Sequence, residues 1–197
     1  IACKVCSDDG SCPTSLIVAG IQYAMDEAAA SGRPSVINMS LGGAISTFFN
    51  DAVAAATAAG LFAVVAAGND ADNSCFTSPA SEPTAITVAA STESDAPASF
   101  SNYGTCVDIY APGDGIMSAE HLSDVDSGLK SGTSMASPHV AGVVARLLSE
   151  LPTLTVTRLE EVLLCLATDD VLSGVRSDTV NRLLHIPEEG AVSCTAS

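Results

Sequence analysis

The stretch "SGTSMASPHVAG", Ser131–Gly142, opens on small polar residues and turns apolar at Val140. The following "VAGVVARLLS" is apolar nearly all round, the pattern of a helix buried on every side. Ser131 and Thr133 are residue types that cap helices, because a hydroxyl accepts from first-turn N–H groups that lack partners within the helix. Pro138 fits near a helix start, where its missing N–H costs little. Ser134 therefore sits where a buried helix surfaces. There, free N–H groups and the positive end of the helix dipole stabilise an oxygen that gains charge. A nucleophilic serine needs such a place. A lone serine there is more often only a cap, so the rest of the chain must decide.

Outward from this stretch, strand-like and helix-like segments alternate. "IACKVC" at the start reads as a strand already under way, without a starting Met or a leader, as in a mature, processed or truncated chain. "SLIVAGIQYAMDEAAASG" places Ile17, Ile21, Ala24, Met25 and Ala28 on one helical face and stops at Gly32. "SVINMSL" is an apolar strand, and "STFFNDAVAAATAAG" is a helix turning Phe49, Val53 and Ala56 inward and ending at Gly60. "LFAVVAA", "AITVAA" and "VDIYAPG" are further strands, followed by the Ser134 helix and a last helix, "VTRLEEVLLCLA". Strands without polar alternation, joined by helices, predict an α/β fold with a mostly parallel sheet covered by helices on both faces. Residues 1–197 carry no repeat, linker or low-complexity tract and read as one domain. Sites in such sheets lie at the carboxyl ends of strands, which brings Gly42, Asn69 and Ser134 to one edge.

Composition narrows the function. Seven Lys and Arg face 23 Asp and Glu, a net charge of −16, which argues against nucleic acid and against an anionic membrane surface. No apolar run is long and uncharged enough to span a bilayer. Seven cysteines point to an oxidising compartment and to secretion. "CKVC", Cys3–Cys6, has redox or zinc-like spacing, but no second such pair follows.

"SGTSMASPHVAG" resembles the nucleophile segment of the subtilisin-type serine proteases, the subtilases. "VINMSLGG", "VVAAGND", "SPASEPTAITVAA" and "FSNYGTCVDIYAPG" resemble, in the same order, the fungal proteinase K-like branch. The match runs from Ile1 to about Leu148 and is looser beyond. The resemblance implies a subtilisin-like fold and an endopeptidase acting on peptide or protein substrates. Ser134 matches the nucleophile and Asn69 the oxyanion-hole amide that works with the Ser134 N–H. Such neutral donors are what acyl transfer needs, although "GND" also suits a plain turn. Ser40, Leu41 and Gly42 match one wall of the substrate cleft and Ala66, Ala67 and Gly68 the other, leaving a roomy slot for uncharged side chains. The Pro83 and Ala85 carbonyls and the Asp108 carboxylate match a structural Ca²⁺ site, where a solvated Asp at a strand start is the rival reading.

The base and orienting acid of a triad precede the nucleophile in subtilases, and neither their Asp segment nor an "HGTH"-like segment is found here. The chain therefore reads as the C-terminal part of a catalytic domain, truncated at the N-terminus. His139 follows Ser134 by five residues, which on a helix turns it about 140° away. It, His121 and His185 read as structural or solvent-facing. Without a base a serine hydroxyl is a poor nucleophile at neutral pH. Two readings follow: a protease part completed by a segment or separate N-terminal chain carrying the Asp and His, or an inactive fragment that binds peptides or a partner. The Gly-Thr-Ser-Met-Ala context is not the G-x-S-x-G elbow of α/β-hydrolases. For the cysteines, Cys6–Cys12, Cys75–Cys106 and Cys165–Cys194 are the working pairs, with Cys3 left over. Connectivity itself is not readable from sequence.

Overall fold

The computed structural model describes residues 1–120, 123–188 and 194. Helix α1 (Thr14–Ser31) ends at Gly32, whose φ of 61° is the left-handed stop that its sequence predicts. Strand β1 (Ser35–Met39) and the short β2 (Gly43–Ala44) lead to α2 (Thr47–Ala58), capped by the Ser46 hydroxyl accepting from Phe49 N–H at 3.3 Å. Then come β3 (Leu61–Ala66), β4 (Thr77–Ser78), β5 (Ile86–Ser91), β6 (Ile109–Pro112) and the hairpin β7 (Ile116–Ala119) with β8 (Ser127–Lys130). Helices α3 (Thr133–Glu150) and α4 (Val156–Leu166) and the short strands β9 (Thr168–Asp169) and β10 (Arg182–Leu183) complete the order.

The main sheet runs β1-β3-β5-β6-β10-β9, parallel at every pairing except β10 with β9. Its two faces follow from the two-residue period of β3. Phe62 and Val64 face α3 and α4, packing with Val140, Val144, Leu147 and Leu159. Leu61, Ala63 and Val65 face α1 and α2, packing with Ile17, Ile21, Phe49 and Val53. All six β3 residues are buried, which is why the strand reads as unbroken apolar sequence.

One expectation fails. Residues 1–6 form no strand. An extended segment counts as a strand only when its N–H and C=O groups find a ladder, and this one finds none. It lies instead across α1, where a Cβ added at Gly20 would come 2.5 Å from Val5 Cγ1. Between this segment, α1 and the outer edge of β1 lies a groove of about 740 Å³, bordered by Ile1, Cys3, Gly20, Ile37, Asn38 and Ser40. Among the described residues strand β1 thus has a free edge; Ser35–Ile37 are half-buried, Asn38 is exposed, and Met39 is 5% exposed.

The cysteines pair as Cys6–Cys12, Cys75–Cys106 and Cys165–Cys194, and Cys3 is free and exposed. Among the described residues no helix is long and apolar enough to cross a membrane.

Leu147 is 1% exposed at the centre of the α3 layer. Leu147→Ala should cost about 2–5 kcal/mol, the usual price of a cavity at a fully buried leucine. Urea unfolding checks this, and a loss well under 1 kcal/mol would show that α3 does not anchor the sheet as described.

Candidate active site

The carboxyl ends of β1 and β3 lie side by side, about one strand spacing of 4.8 Å apart, and α3 begins against both. The segment after β1 brings Ser40, Leu41 and Gly42, and the segment after β3 brings Ala67, Gly68 and Asn69. Ser134 is the second residue of α3 and is half-buried.

The expected caps of α3 do not form. Gly132 holds the cap position without a side-chain bond. The Ser131 hydroxyl donates instead to Asp114 Oδ1 at 2.7 Å and accepts from Gly115 N–H at 2.9 Å. The cap comes from another element: Asn69 Oδ1 accepts the Thr133 N–H at 2.8 Å and the Thr133 hydroxyl at 2.9 Å. Thr133 is wholly buried, and its Oγ1 also accepts from Gly68 N–H at 3.1 Å. With Oδ1 held twice, the Asn69 Nδ2 is the end left to point outward. A Cβ added at Gly132 would stand 3.6 Å from Asn69 Nδ2 and 3.6 Å from the Ser134 N. The two donors therefore border one small space that glycine leaves open, the arrangement that suits an oxyanion.

The Ser134 hydroxyl has one protein partner among the described residues, the Ser40 carbonyl at 3.4 Å. The Ser134 carbonyl accepts from the Ser40 hydroxyl at 2.8 Å. That carbonyl is released from the helical ladder because Pro138, four residues on, has no N–H to give it. A longer chain of bonds continues from Ser40: its hydroxyl accepts from Asn38 Nδ2 at 3.1 Å, and Asn38 Oδ1 accepts from the buried Ser137 hydroxyl at 2.6 Å.

No described histidine serves Ser134. His139 turns back along α3, where its Nδ1 meets the Met135 carbonyl at 2.8 Å and so carries the proton. His185 follows β10, three strand spacings or about 14 Å from β3. His121 lies outside the described residues.

The remaining expected residues fall as follows. Ala66 and Ala67 are buried, and Ala67 packs with Ala89, Val107 and Tyr110. Leu41 is half-buried and packs against the α1–α2 layer, while Gly42 is exposed. Pro83, Ala85 and Asp108 stand at the amino ends of β5 and β6, the opposite end of the sheet from Ser134. Asp108 Oδ2 accepts the Thr87 N–H at 2.7 Å. Burial pushes its carboxyl up to about 6, against the Thr87 bond that lowers it, and the charge of Glu160 adds to the rise. The charge of Arg182 offsets part of that rise, and a carboxylate with backbone carbonyls is the donor type that suits a hard cation. Among the described residues no group of three or more His, Cys, Asp or Glu is placed to hold a metal.

Two residues of the site escaped the sequence reading in this role, Thr133 and Asn102. The Asn102 carboxamide bonds to Ala67 O, Asp70 N and Asp72 N, on both sides of Asn69. "FSNYG" marks the segment without showing that its asparagine faces inward.

The sheet order and the two helical layers are those of a subtilisin-like α/β protein. A solved structure described as a cold adapted subtilisin-like serine proteinase superposes with a TM-score of 0.88 at 43% identity, covering 93% of this chain and 65% of that one. The chain belongs to the subtilase family, whose profile matches residues 1–183. It is 48% identical over 187 residues to a subtilase-type proteinase, psp3, of Schizosaccharomyces pombe, covering 93% of this chain and 42% of that protein. It is 44% identical over 184 residues to an extracellular serine proteinase of Thermus sp., covering 93% and 44%. The chain thus spans less than half the length of these two relatives.

Asp108 sets a sign for pH dependence. A carboxyl whose folded pKa is raised binds its proton more tightly in the native state, so its contribution favours folding below about pH 4 and is lost as pH rises through about 6. In chelator, Asp108→Asn should therefore gain melting temperature relative to the parent chain between about pH 4 and 7. Parallel melting curves over that range would show that the carboxyl is not held out of water.

Proposed function

We propose that the chain is the nucleophile-bearing part of a secreted serine endopeptidase of the subtilase type. Ser134 attacks the peptide carbonyl, and Asn69 Nδ2 with the Ser134 N–H receives the oxyanion. The observation that carries this reading is the pair of outward donors bordering the space at Gly132 beside the Ser134 hydroxyl. Ser40–Gly42 and Ala66–Gly68 form the two sides of the substrate cleft, with a neutral slot between them. The three disulfides and the extracellular relative support secretion.

The mechanism needs a general base, and the Ser134 hydroxyl meets only a carbonyl among the described residues. The base and its orienting acid come from a segment outside these 197 residues. The groove beside the free edge of β1 supports that assignment, because it runs up to Ser40, whose carbonyl is the hydroxyl's partner. A segment seated there arrives next to Ser134. Asp108, with the Pro83 and Ala85 carbonyls, would hold a Ca²⁺ ion. When bound, the ion offsets a buried negative charge and ties together the amino ends of β5 and β6.

Chelation should lower the melting temperature of calcium-loaded protein, and Asp108→Ala should remove the difference. A melting curve indifferent to excess chelator counts against the ion.

The catalytic reading is tested by a fluorophosphonate probe. The isolated chain should scarcely react, and labelling of Ser134 together with peptide cleavage should appear once a segment bearing the Asp and His is supplied. Ser134→Ala should abolish both, and Asn69→Ala should slow turnover about 100- to 1000-fold while the chain still folds. Peptide capture by the isolated chain, with no cleavage in any combination, would establish the binding reading instead. Cleavage dependent on Ser134 in the 197-residue chain alone would require one of its own histidines as base.

A further inference from the structure

Asn69 is an exposed residue on a loop, yet its amide must be aimed to within a few tenths of an ångström to serve an oxyanion. Thr133 fixes the direction of its side chain through Oδ1. Something else must fix where its Cα stands.

We infer that Asn102 is the positioning residue for the oxyanion arm: its buried carboxamide holds Ala67–Asp72 in the conformation that presents the Asn69 Nδ2 beside Ser134. This rests on the reading of Asn69 given above. Asn102 is wholly buried, so it touches no substrate. Its Nδ2 donates to Ala67 O at 3.0 Å, and its Oδ1 accepts from Asp70 N–H at 2.9 Å and Asp72 N–H at 3.1 Å. Its own N–H donates to Gly68 O at 2.9 Å. Each of these bonds goes to a backbone group flanking residue 69, and none to Asn69 itself. The carboxamide thus shapes the loop on both sides of Asn69 and leaves its side chain to Thr133.

The chemistry of the side chain is matched to this task. Both lone-pair positions of Oδ1 are used by the two amides, and an N–H on the other arm is used by the carbonyl. A carboxylate could keep the two amides but has no proton for Ala67 O. An apolar side chain would leave three backbone groups without partners. The backbone it holds is one that would not persist unaided. Gly68 has φ +107°, and a Cβ there would come 2.3 Å from Asn102 Nδ2, so only glycine admits so close an approach. Ala71 has φ +50°, and its N–H is taken by Phe100 O at 2.9 Å. The segments then continue side by side, with Tyr103 N–H to Asp72 O at 3.0 Å and Ser74 N–H to Tyr103 O at 2.8 Å, up to the Cys75–Cys106 bridge. Asn102 is the one side chain in this pairing that reaches past it to the oxyanion loop.

A purely structural asparagine and a positioning one differ in their coupling to Asn69, and the test reads that coupling in two arms. In the isolated ¹⁵N-labelled chain, the Asn69 side-chain amide signals are identified by their loss in Asn69→Ala. Asn102→Ala should move them and should speed hydrogen exchange at the Asp70 and Asp72 amides at least about tenfold, with exchange at Val143 and Val144 unchanged. In the assembled protease, Asn102→Ala should lower kcat about 10- to 100-fold at nearly constant KM, and should cost nothing further in an Asn69→Ala background. If Asn102→Ala does not fold, Asn102→Asp carries the same test, keeping the acceptor and losing the bond to Ala67. Equal losses in both backgrounds, or Asn69 signals that stay put while the fold is intact, overturn the inference. An assembly inactive even with Asn102 and Asn69 in place sinks the protease reading, and the Asn69 signals alone then decide whether Asn102 aims that amide.

Discussion

The hydrogen bond from the Thr133 N–H to Asn69 Oδ1 joins the end of β3 to the start of α3, and most of the site follows from it. A buried helix must satisfy the N–H groups of its first turn, and it ordinarily does so with its own cap residue. Here the cap is borrowed from the sheet. The borrowing fixes how α3 meets β3, leaves the next N–H, that of Ser134, without a partner among the described residues, and turns the other end of the same carboxamide outward. One side chain therefore serves as cap through its oxygen and as candidate donor through its nitrogen. A cap is worth about 1 kcal/mol, small beside a stability of about 5–15 kcal/mol. Under the proposed function, loss of Asn69 is consequently a far larger matter for chemistry than for folding.

The second constraint is the free edge of β1. An edge strand carries unpaired N–H and C=O groups, and proteins usually cover, charge or shorten it. In this chain the edge borders a groove of mixed lining, apolar at Ile17, Ile21 and Ile37 and polar at Glu27, Arg33 and Asn38. The same edge leads straight to Ser40 and so to Ser134. The outer edge of β1 and Ser134 thus lie on the same side of the molecule. Under the proposed function, a single segment seated there would both pair the edge and bring a base to Ser134, so the structural and the chemical arguments for it support one another.

Much of this was legible in the sequence, for identifiable reasons. The parallel strands are unbroken apolar runs, and α1 and α2 show their inward faces and their stops at Gly32 and Gly60. Ser134 and Asn69 fall at strand and helix ends, where local pattern carries information. What was not legible depends on partners distant in the chain. "IACKVC" has strand composition but no ladder to join, so its pattern misled. Ser131 and Thr133 look like caps, yet their hydroxyls are committed to Asp114 and Asn69, 17 and 64 residues away. Asn102 reads as a loop residue because nothing in "FSNYG" reveals that the loop folds its asparagine inward over residues some 30 positions earlier.

Pro138 shows how a local defect becomes a long-range link. In a regular helix an N–H at position 138 would occupy the Ser134 carbonyl, and the segment after β1 would have no claim on it. Proline withdraws that donor, and the Ser40 hydroxyl takes its place at 2.8 Å. The position of the β1 end relative to Ser134 is then set by a direct bond across 94 residues of chain. Asn38 and Ser137 extend the same tie by two more bonds, one strand residue and one helix residue further back. The cost of a proline inside α3 is small at the sixth residue, near the start where few ladder bonds are lost. What it secures is that Ser40 and Ser134 cannot move independently, since the Ser40 hydroxyl holds the Ser134 carbonyl and the Ser134 hydroxyl meets the Ser40 carbonyl.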